Sequence, residues 1–324
     1  MQQTILILGG YGFLGTNVMK YVDAYLADRY RFIVFDKFDR HMGGVELQCV
    51  KKTYAGDFSD KALLEQIFRE NKIDIVLHSL STTVPVDSSN ARFDVESNLL
   101  PTLDILNLMI KYHVQDIVYL SSGGAIYGIN NLQSSISNLQ STGFREDADV
   151  FPVSSYGVVK LAIEKYIMQY AQLYGLHPLI LRLSNPYGPY HYSMKQGVIN
   201  IAITKALQGE RFEIWGDGNG KKDYFYVEDY ATILFRLLEL GEKAMGKVIN
   251  VASGQLLSVN EITTAIQDRI PSFQISHSDA QKLDASHFEL DANRLHALLP
   301  DFQFTSLDDG LEKTFAWTKQ ICSN

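Results

Sequence analysis

Tyr156 and Lys160 are the residues whose types and spacing most directly suggest chemistry in this chain. They lie four residues apart at the start of a segment with helical periodicity that runs to Tyr174, so both side chains project from one face. An unperturbed tyrosine has a pKa of about 10. A neighbouring ammonium group favours the phenolate and lowers that pKa. The pair therefore predicts a tyrosine that transfers protons near neutral pH.

A glycine-rich turn near the start of the chain predicts a dinucleotide site. The apolar run Ile5–Leu8 leads into Gly9-Gly10-Tyr11-Gly12-Phe13-Leu14-Gly15, and such glycines let the backbone approach a pyrophosphate at a helix start. About 20 residues later Asp36 ends a second apolar run, where these folds bind the adenosine ribose. A carboxylate there favours NAD over NADP by repelling a 2'-phosphate, although Lys37 beside it weakens this preference. Taken alone, the glycines also fit a tight turn without a ligand, and Asp36 fits an ordinary loop carboxylate.

The elements that must position these residues alternate along the chain. Strand-like apolar runs at 4–8, 32–36, 51–54, 74–78, 116–121 and 178–183 are separated by helical patterns. This alternation predicts an α/β fold with a doubly wound parallel sheet, whose ligands bind beyond the carboxyl ends of the strands. We expect an NAD-binding domain over 1–184 and a mainly substrate-binding domain over 185–324, with 223–240 returning to the first domain.

Further motifs resemble one enzyme family. The third predicted strand is followed by Gly56-Asp57-Phe58, and a later strand ends in Leu120-Ser121-Ser122 shortly before Tyr127-Gly128. Three further motifs follow in order: the run 182–189, Trp215-Gly216-Asp217-Gly218 and the run 223–229. Together with the glycine turn, Asp36 and the Tyr156/Lys160 pair, this order resembles extended short-chain dehydrogenases/reductases, in particular the nucleotide-sugar epimerase/dehydratase branch. The resemblance covers nearly the whole chain. It implies a Rossmann-type sheet, NAD as cofactor and a nucleotide-sugar substrate.

The resemblance also implies roles for individual residues. Tyr156 and Lys160 would be catalytic, with Lys160 holding the nicotinamide ribose and the oxidised nicotinamide lowering the tyrosine pKa further. Relatives place a Ser or Thr hydroxyl where this chain has Gly123, so we predict that Ser122 supplies it, with another side chain or water as the alternative. The expected cofactor-binding residues are Gly9, Gly12, Phe13, Leu14, Gly15, Asp36, Asp57, Phe58, Leu80, Asn98, Tyr156 and Lys160. The expected substrate-binding residues are Asn185, Lys222, Tyr224 and Asp284.

The expected diphosphate contacts depart from the family pattern. Lys222 and Gln281 stand where relatives have phosphate-binding arginines. Because lysine cannot form a bidentate fork, we expect a rearranged grip in which Lys221, Lys222 and Lys282 act as substitutes.

The resemblance predicts an NAD-dependent 4-epimerase of a UDP-hexose that works through a 4-keto sugar. Dehydratases carry an acidic pair where this chain has Gly124-Ala125, which disfavours dehydration because no acid is present to protonate the leaving group. A nucleotide-4-ketosugar reductase is the alternative, kept open by Gly123 and Lys222. A non-catalytic dinucleotide-binding protein is disfavoured because Tyr156 and Lys160 are both present.

Composition excludes several other classes of protein. The 324 residues are 46% hydrophobic, with a formal net charge of −8 that argues against a nucleic-acid surface. Cys49, Cys322 and the histidine spacing predict no disulfide scaffold and no metal site. No apolar run approaches the roughly 20 residues of a membrane span, so we expect a cytoplasmic enzyme. The resemblance also implies a homodimer through helices near 100–112 and 156–174.

Overall fold

The computed structural model describes residues 2–39, 41, 44, 46–83, 90–128, 143–279 and 287–323. The strands are β1 (Gln3–Leu8), β2 (Tyr30–Asp36), β3 (Val50–Ala55), β4 (Ile75–His78), β5 (Asp116–Ser122), β6 (His177–Leu183), β7 (Asn185–Tyr187), β8 (Phe212–Trp215), β9 (Lys221–Tyr226), β10 (Lys247–Val251), β11 (Leu256–Ser258), β12 (Ile275–Ser278) and β13 (His287–Phe288). The α-helices are α1 (Phe13–Tyr25), α2 (Lys61–Glu70), α3 (Ala91–Asp94), α4 (Leu100–Lys111), α5 (Gly123–Ile126), α6 (Ser155–Tyr174), α7 (Val198–Gln208), α8 (Val227–Glu239), α9 (Val259–Gln267), α10 (Asn293–Leu298) and α11 (Leu307–Cys322).

A parallel sheet is the centre of the described structure. Its seven strands follow the order β10-β6-β5-β4-β1-β2-β3, and each neighbouring pair is parallel. The order reverses direction between β1 and β4, which creates a switch point at the carboxyl ends of these strands. The predicted α/β fold with a doubly wound parallel sheet is therefore confirmed. The seventh strand, β10, was not among the strands predicted from the sequence.

Strand β1 shows why this sequence forms a central strand. Its side chains alternate between the two faces, so Ile5 and Ile7 pack into one hydrophobic cluster and Leu6 and Leu8 into another. A strand that is apolar at consecutive positions suits a sheet covered by helices on both sides. Helices α1, α8 and α10 contribute to the first cluster, and α2, α4 and α6 contribute to the second. Fully burying each large aliphatic side chain contributes about 1.5–3 kcal/mol.

The C-terminal part of the chain divides between the central sheet and a smaller layer. Helix α8 packs on α1, where the rings of Phe235 and Tyr21 stack with centroids 6.0 Å apart. The smaller layer contains β9 between β11 and β13, with β7 also paired to β9, and the parallel pair β8 and β12. Its own hydrophobic cluster includes side chains from α7, α9 and α11. The division into two domains at residue 185 stays a prediction.

Candidate active site

The glycine turn between β1 and α1 is closely packed on both sides. Gly9 has a φ of +78°, and a Cβ there would lie 2.9 Å from Cα of Leu80. A Cβ on Gly15 would lie 2.6 Å from the carbonyl oxygens of Gly9 and Gly10. Helix α1 starts at Phe13 without a side-chain cap and without an acidic residue in its first turn. The helix start thus offers backbone amides and a positive dipole to an anion.

Asp36 is held directly against this turn. Its carboxylate accepts hydrogen bonds from the backbone N–H of Tyr11 at 2.9 Å and of Phe38 at 3.3 Å. Burial raises the pKa of Asp36, while these backbone hydrogen bonds act in the opposite direction. The structure therefore brings together the two features that the sequence placed in one dinucleotide site.

Asp57 and Phe58 lie after β3, in the next loop along the same edge of the sheet. The Asp57 carboxylate accepts hydrogen bonds from the backbone N–H and the hydroxyl of Ser59, and these bonds lower its pKa. Phe58 is buried, and its ring packs against the rings of Phe35 and His78. Asp57 therefore shapes its own loop, and Phe58 anchors that loop to the core.

Helix α6 brings Tyr156 and Lys160 to the end of β5. The hydroxyl of Ser154 caps the helix by accepting a hydrogen bond from the Gly157 N–H at 3.1 Å. The buried Lys160 Nζ donates to the carbonyl of Leu120 at 2.9 Å and lies 5.7 Å from the centre of the Tyr156 ring. Ser122, the last residue of β5, forms a side-chain hydrogen bond with Tyr156. The three residues predicted to be catalytic thus lie together.

The electrostatics of this cluster are dominated by burial. Burial lowers the pKa of Lys160 to about 8, and the negative charge of Glu164 counteracts part of that effect. Burial raises the pKa of Tyr156 to about 12, and only the hydrogen bond with Ser122 lowers it. The lowering of the tyrosine pKa that was predicted from the neighbouring ammonium group is therefore absent in the described structure, because burial outweighs the other influences on the phenol. The second expected influence, the positive charge of an oxidised nicotinamide, would act only when the cofactor is bound.

A small cavity connects the cluster to the end of β4. Leu80, Asn98, Tyr119, Tyr156 and Lys160 are among the residues that line it. Asn98 lies in a π-helical turn, where its side chain accepts from the Thr82 N–H at 2.8 Å and donates to the Thr82 hydroxyl at 2.8 Å. Asn98 therefore ties the segment after β4 to the helical layer beside the cavity.

The predicted substrate residues lie on the smaller layer. The side chain of Asn185 on β7 donates to the carbonyl of Asp223 at 2.8 Å, and Lys222 and Tyr224 flank Asp223 on β9. Lys221, considered as a phosphate substitute, pairs instead with Glu261 at 3.0 Å. Asp284, Gln281 and Lys282 lie outside the described residues.

Sequence reasoning missed a buried ion pair behind the cluster. Arg182 donates to Glu164 through Nη2 at 2.7 Å and to the Tyr127 hydroxyl at 2.7 Å. Burial opposes the charge of Arg182, but the Glu164 carboxylate and the Tyr127 hydroxyl together outweigh burial and raise the pKa of the guanidinium. No local sequence pattern identifies this pair, because Arg182 on β6 lies 18 residues from Glu164 on α6 and meets it only in the fold.

Tyr119 was also missed. Its ring lies beneath Lys160, with Nζ 4.9 Å from the ring centre, and its buried hydroxyl has no hydrogen-bond partner among the described residues. No sequence motif identifies Tyr119, because its contact with Lys160 depends on how β5 packs beside α6.

The model of the NAD-dependent epimerase/dehydratase family matches residues 5–252. The chain belongs to this family. The family uses NAD, and the Cβ-free turn at Gly9 and Gly15, the Asp36 carboxylate beside it and the buried Lys160 fit that cofactor.

Relatives in this family carry out more than one reaction. A Methanocaldococcus jannaschii protein provisionally named UDP-glucose 4-epimerase is 34% identical over 270 residues, which cover 82% of each chain. The dTDP-4-dehydro-6-deoxyglucose reductase of Escherichia coli is 26% identical over 316 residues, or 95% of each chain. The UDP-glucose 4-epimerase of Thermotoga maritima, solved with UDP-glucose, has a TM-score of 0.86 and 27% identity, covering 99% of this chain and 100% of that one.

The described ranges contain neither a membrane-spanning helix nor a metal-binding cluster. No helix there combines the length and apolar character needed to cross a bilayer. In the same ranges, no group of three or more His, Cys, Asp or Glu side chains is arranged to hold a metal ion.

Proposed function

We propose that this protein is a nucleotide-sugar 4-epimerase that acts on a UDP-hexose through a transient 4-keto sugar. The main support is the meeting of Ser122, Tyr156 and Lys160 at the carboxyl end of the sheet, where the glycine turn and Asp36 also lie. Gly124 and Ala125 follow this cluster at the start of α5, so they provide no acid for a dehydration.

Each member of the cluster has a distinct task in the proposed reaction. Tyr156 removes the proton of the sugar 4-hydroxyl and returns it after the sugar has turned. Ser122 stabilises the phenolate through its hydrogen bond. Lys160 supplies a positive charge, held by the Leu120 carbonyl. The glycine turn and Asp36 would hold NAD, and the bound cofactor would supply the acceptor and then the donor of the C4 hydride.

The smaller layer is proposed to hold the nucleotide. Asn185, Lys222 and Tyr224 lie on the paired strands β7 and β9, and we keep Asp284 in this set as a prediction. With Lys221 engaged by Glu261, Lys222 is the described lysine that we assign to the diphosphate.

A nucleotide-4-ketosugar reductase is the second candidate. Its support is the similarity to the Escherichia coli reductase over 95% of both chains and the absence of a side chain at Gly123. Such an enzyme would consume NAD(P)H with each turnover, whereas an epimerase returns the hydride to its own substrate.

Two incubations separate the two functions, one without added cofactor and one with added NAD(P)H. The purified protein is incubated with UDP-glucose or UDP-galactose while the sugar ratio and the absorbance of reduced nicotinamide are followed. An epimerase interconverts the sugars with no net change in that absorbance. Oxidation of added NAD(P)H by a 4-keto-6-deoxy sugar nucleotide, without UDP-hexose interconversion, would favour the reductase.

We also infer a homodimer formed through α4 and α6. Apolar side chains of these helices are exposed in the single chain, among them Leu100, Val158, Leu173 and Tyr174. A second copy would cover them in a four-helix arrangement. Cytoplasmic location stays a prediction from the sequence.

A further inference from the structure

Gly123 is a glycine because of the space around it. It lies at the first position of the short helix α5 and is not among the residues with positive φ, so its backbone conformation is open to any residue. A Cβ built there would lie 2.5 Å from Cδ1 and 3.0 Å from Cδ2 of Leu290. Leu290 therefore fills the volume that a side chain at residue 123 would need.

Leu290 cannot easily move out of this volume. It is 3% exposed and packs in a cluster with Tyr127, Phe144 and Phe288. The rings of Tyr127 and Phe144 stack with centroids 5.1 Å apart, and those of Phe144 and Phe288 with centroids 5.7 Å apart. Displacing a side chain from such close packing forces rearrangement of its neighbours.

The backbone on both sides of Leu290 is held as well. The Phe144 N–H donates to the carbonyl of Glu289 at 2.9 Å, and the Asp291 N–H donates to the carbonyl of Phe144 at 3.0 Å. The side-chain amide of Asn250 donates to the carbonyls of both Phe144 and Asp291. Leu290 is thus a fixed wedge against the start of α5.

The wedge lies between the two layers that meet at the proposed site. On one side, Gly123 directly follows Ser122, whose side chain bonds Tyr156. On the other side, Leu290 lies two residues after Phe288, which pairs in register with Lys222 on β9. Leu290 therefore connects the smaller layer to the turn that carries Ser122.

We propose that Leu290 is a positioning residue of the site: by occupying the space beside Gly123, it fixes the turn that presents the Ser122 hydroxyl to Tyr156. The proposal rests on the proposed epimerase function for its kinetic consequences. It explains why the hydroxyl comes from Ser122 and why residue 123 has no side chain.

A size exchange tests this directly. Gly123→Ala introduces a Cβ against Leu290, Leu290→Ala removes the wedge, and the double variant lets the new methyl group enter the vacated space. Gly124→Ala is the matched control, since a Cβ there would have its nearest described neighbour, Phe288, at 4.0 Å. Both glycines lie in α5, where alanine is the better helix former, so propensity alone would not lower activity.

Loosening the Ser122–Tyr156 hydrogen bond should raise the pKa of Tyr156 by about one pH unit. At any pH well below that pKa, the fraction of phenolate then falls about tenfold. We expect each single variant to lose about tenfold in kcat, with a similar KM for the nucleotide sugar. The acid limb of the pH profile should move to higher pH in each single variant. The double variant should recover most of the lost kcat, and Gly124→Ala should have the same kcat as the unaltered protein.

If the two single substitutions act independently, their losses in kcat will multiply in the double variant, and this result would overturn the proposal. An unchanged pH profile for Leu290→Ala would overturn it as well. The titration of Tyr156 is also followed by ultraviolet difference against a Tyr156→Phe background, which needs no substrate. A lack of UDP-hexose interconversion by the unaltered protein would contradict the proposed function alone. An unchanged Tyr156 titration in Leu290→Ala would contradict the positioning role alone. Thermal unfolding of all variants, with Leu290→Val as a milder change, separates misfolding from mispositioning.

Discussion

The burial of Lys160 predicts an unusual dependence of stability on pH. Its pKa of about 8, against an ordinary value of 10.5, means that the folded protein disfavours the charged lysine. At about 1.4 kcal/mol per pH unit, the difference corresponds to about 3 kcal/mol. The Leu120 carbonyl and the Glu164 charge reduce the penalty but do not remove it.

The sign of the effect follows from counting protons. Below about pH 8 the lysine is protonated in both the folded and the unfolded chain, so the full penalty applies. Between about pH 8 and pH 10.5 the unfolded chain binds more protons at this residue than the folded chain, and stability rises with pH. The contribution of Lys160 to the free energy of unfolding should therefore increase by about 2–3 kcal/mol from pH 7 to pH 10.

Chemical denaturation of the nucleotide-free protein measures this contribution. The free energy of unfolding is compared with that of Lys160→Met at pH 7, 8, 9 and 10, because groups common to both proteins cancel in the difference. Lys165→Met serves as the control, since Lys165 is exposed on the same helix, and its difference should stay nearly constant. A difference for Lys160→Met that is equally flat would refute the argument that burial destabilises the charged lysine.

Four further outcomes are expected. Tyr156→Phe should lower turnover by about 10² to 10⁴ while leaving NAD affinity nearly unchanged by fluorescence titration; normal turnover would reject its role as acid/base. Asp36→Ala should weaken NAD binding and reduce the difference in affinity between NAD and NADP in cofactor titrations. A preference of the unaltered protein for NADP would contradict the role assigned to Asp36. Glu164→Gln should lower the free energy of unfolding by about 3–5 kcal/mol by leaving Arg182 buried without its charge partner. Glu239→Gln, which breaks the exposed ion pair with Arg29, should lower it by less than about 1 kcal/mol. Light scattering should give a dimer mass, and a monomer at working concentration would exclude the proposed interface.

Local sequence was sufficient for the features that depend on near neighbours. The glycines and Asp36 could be assigned because a strand, a turn and a helix start follow one another along the chain. Tyr156 and Lys160 could be paired because a helix places residues four apart on one face. Alternating apolar runs predicted most strands of the central sheet, but β10 was missed because the chain reaches it only after the excursion through β7–β9 and α8.

The tertiary structure decided the features that join distant parts of the chain. Whether Tyr156 has a low or a high pKa depends on how much water the packed layers remove, which no local pattern contains. The pairing of Lys221 with Glu261 also depends on the fold, because β9 and α9 place the two side chains 3.0 Å apart. The sequence showed that residue 123 lacks the hydroxyl that relatives have at this position. Only the packing showed that Leu290 fills the space that a side chain at residue 123 would need. Residue types and spacing thus predicted the chemistry, and the burial and close contacts made by folding set its geometry.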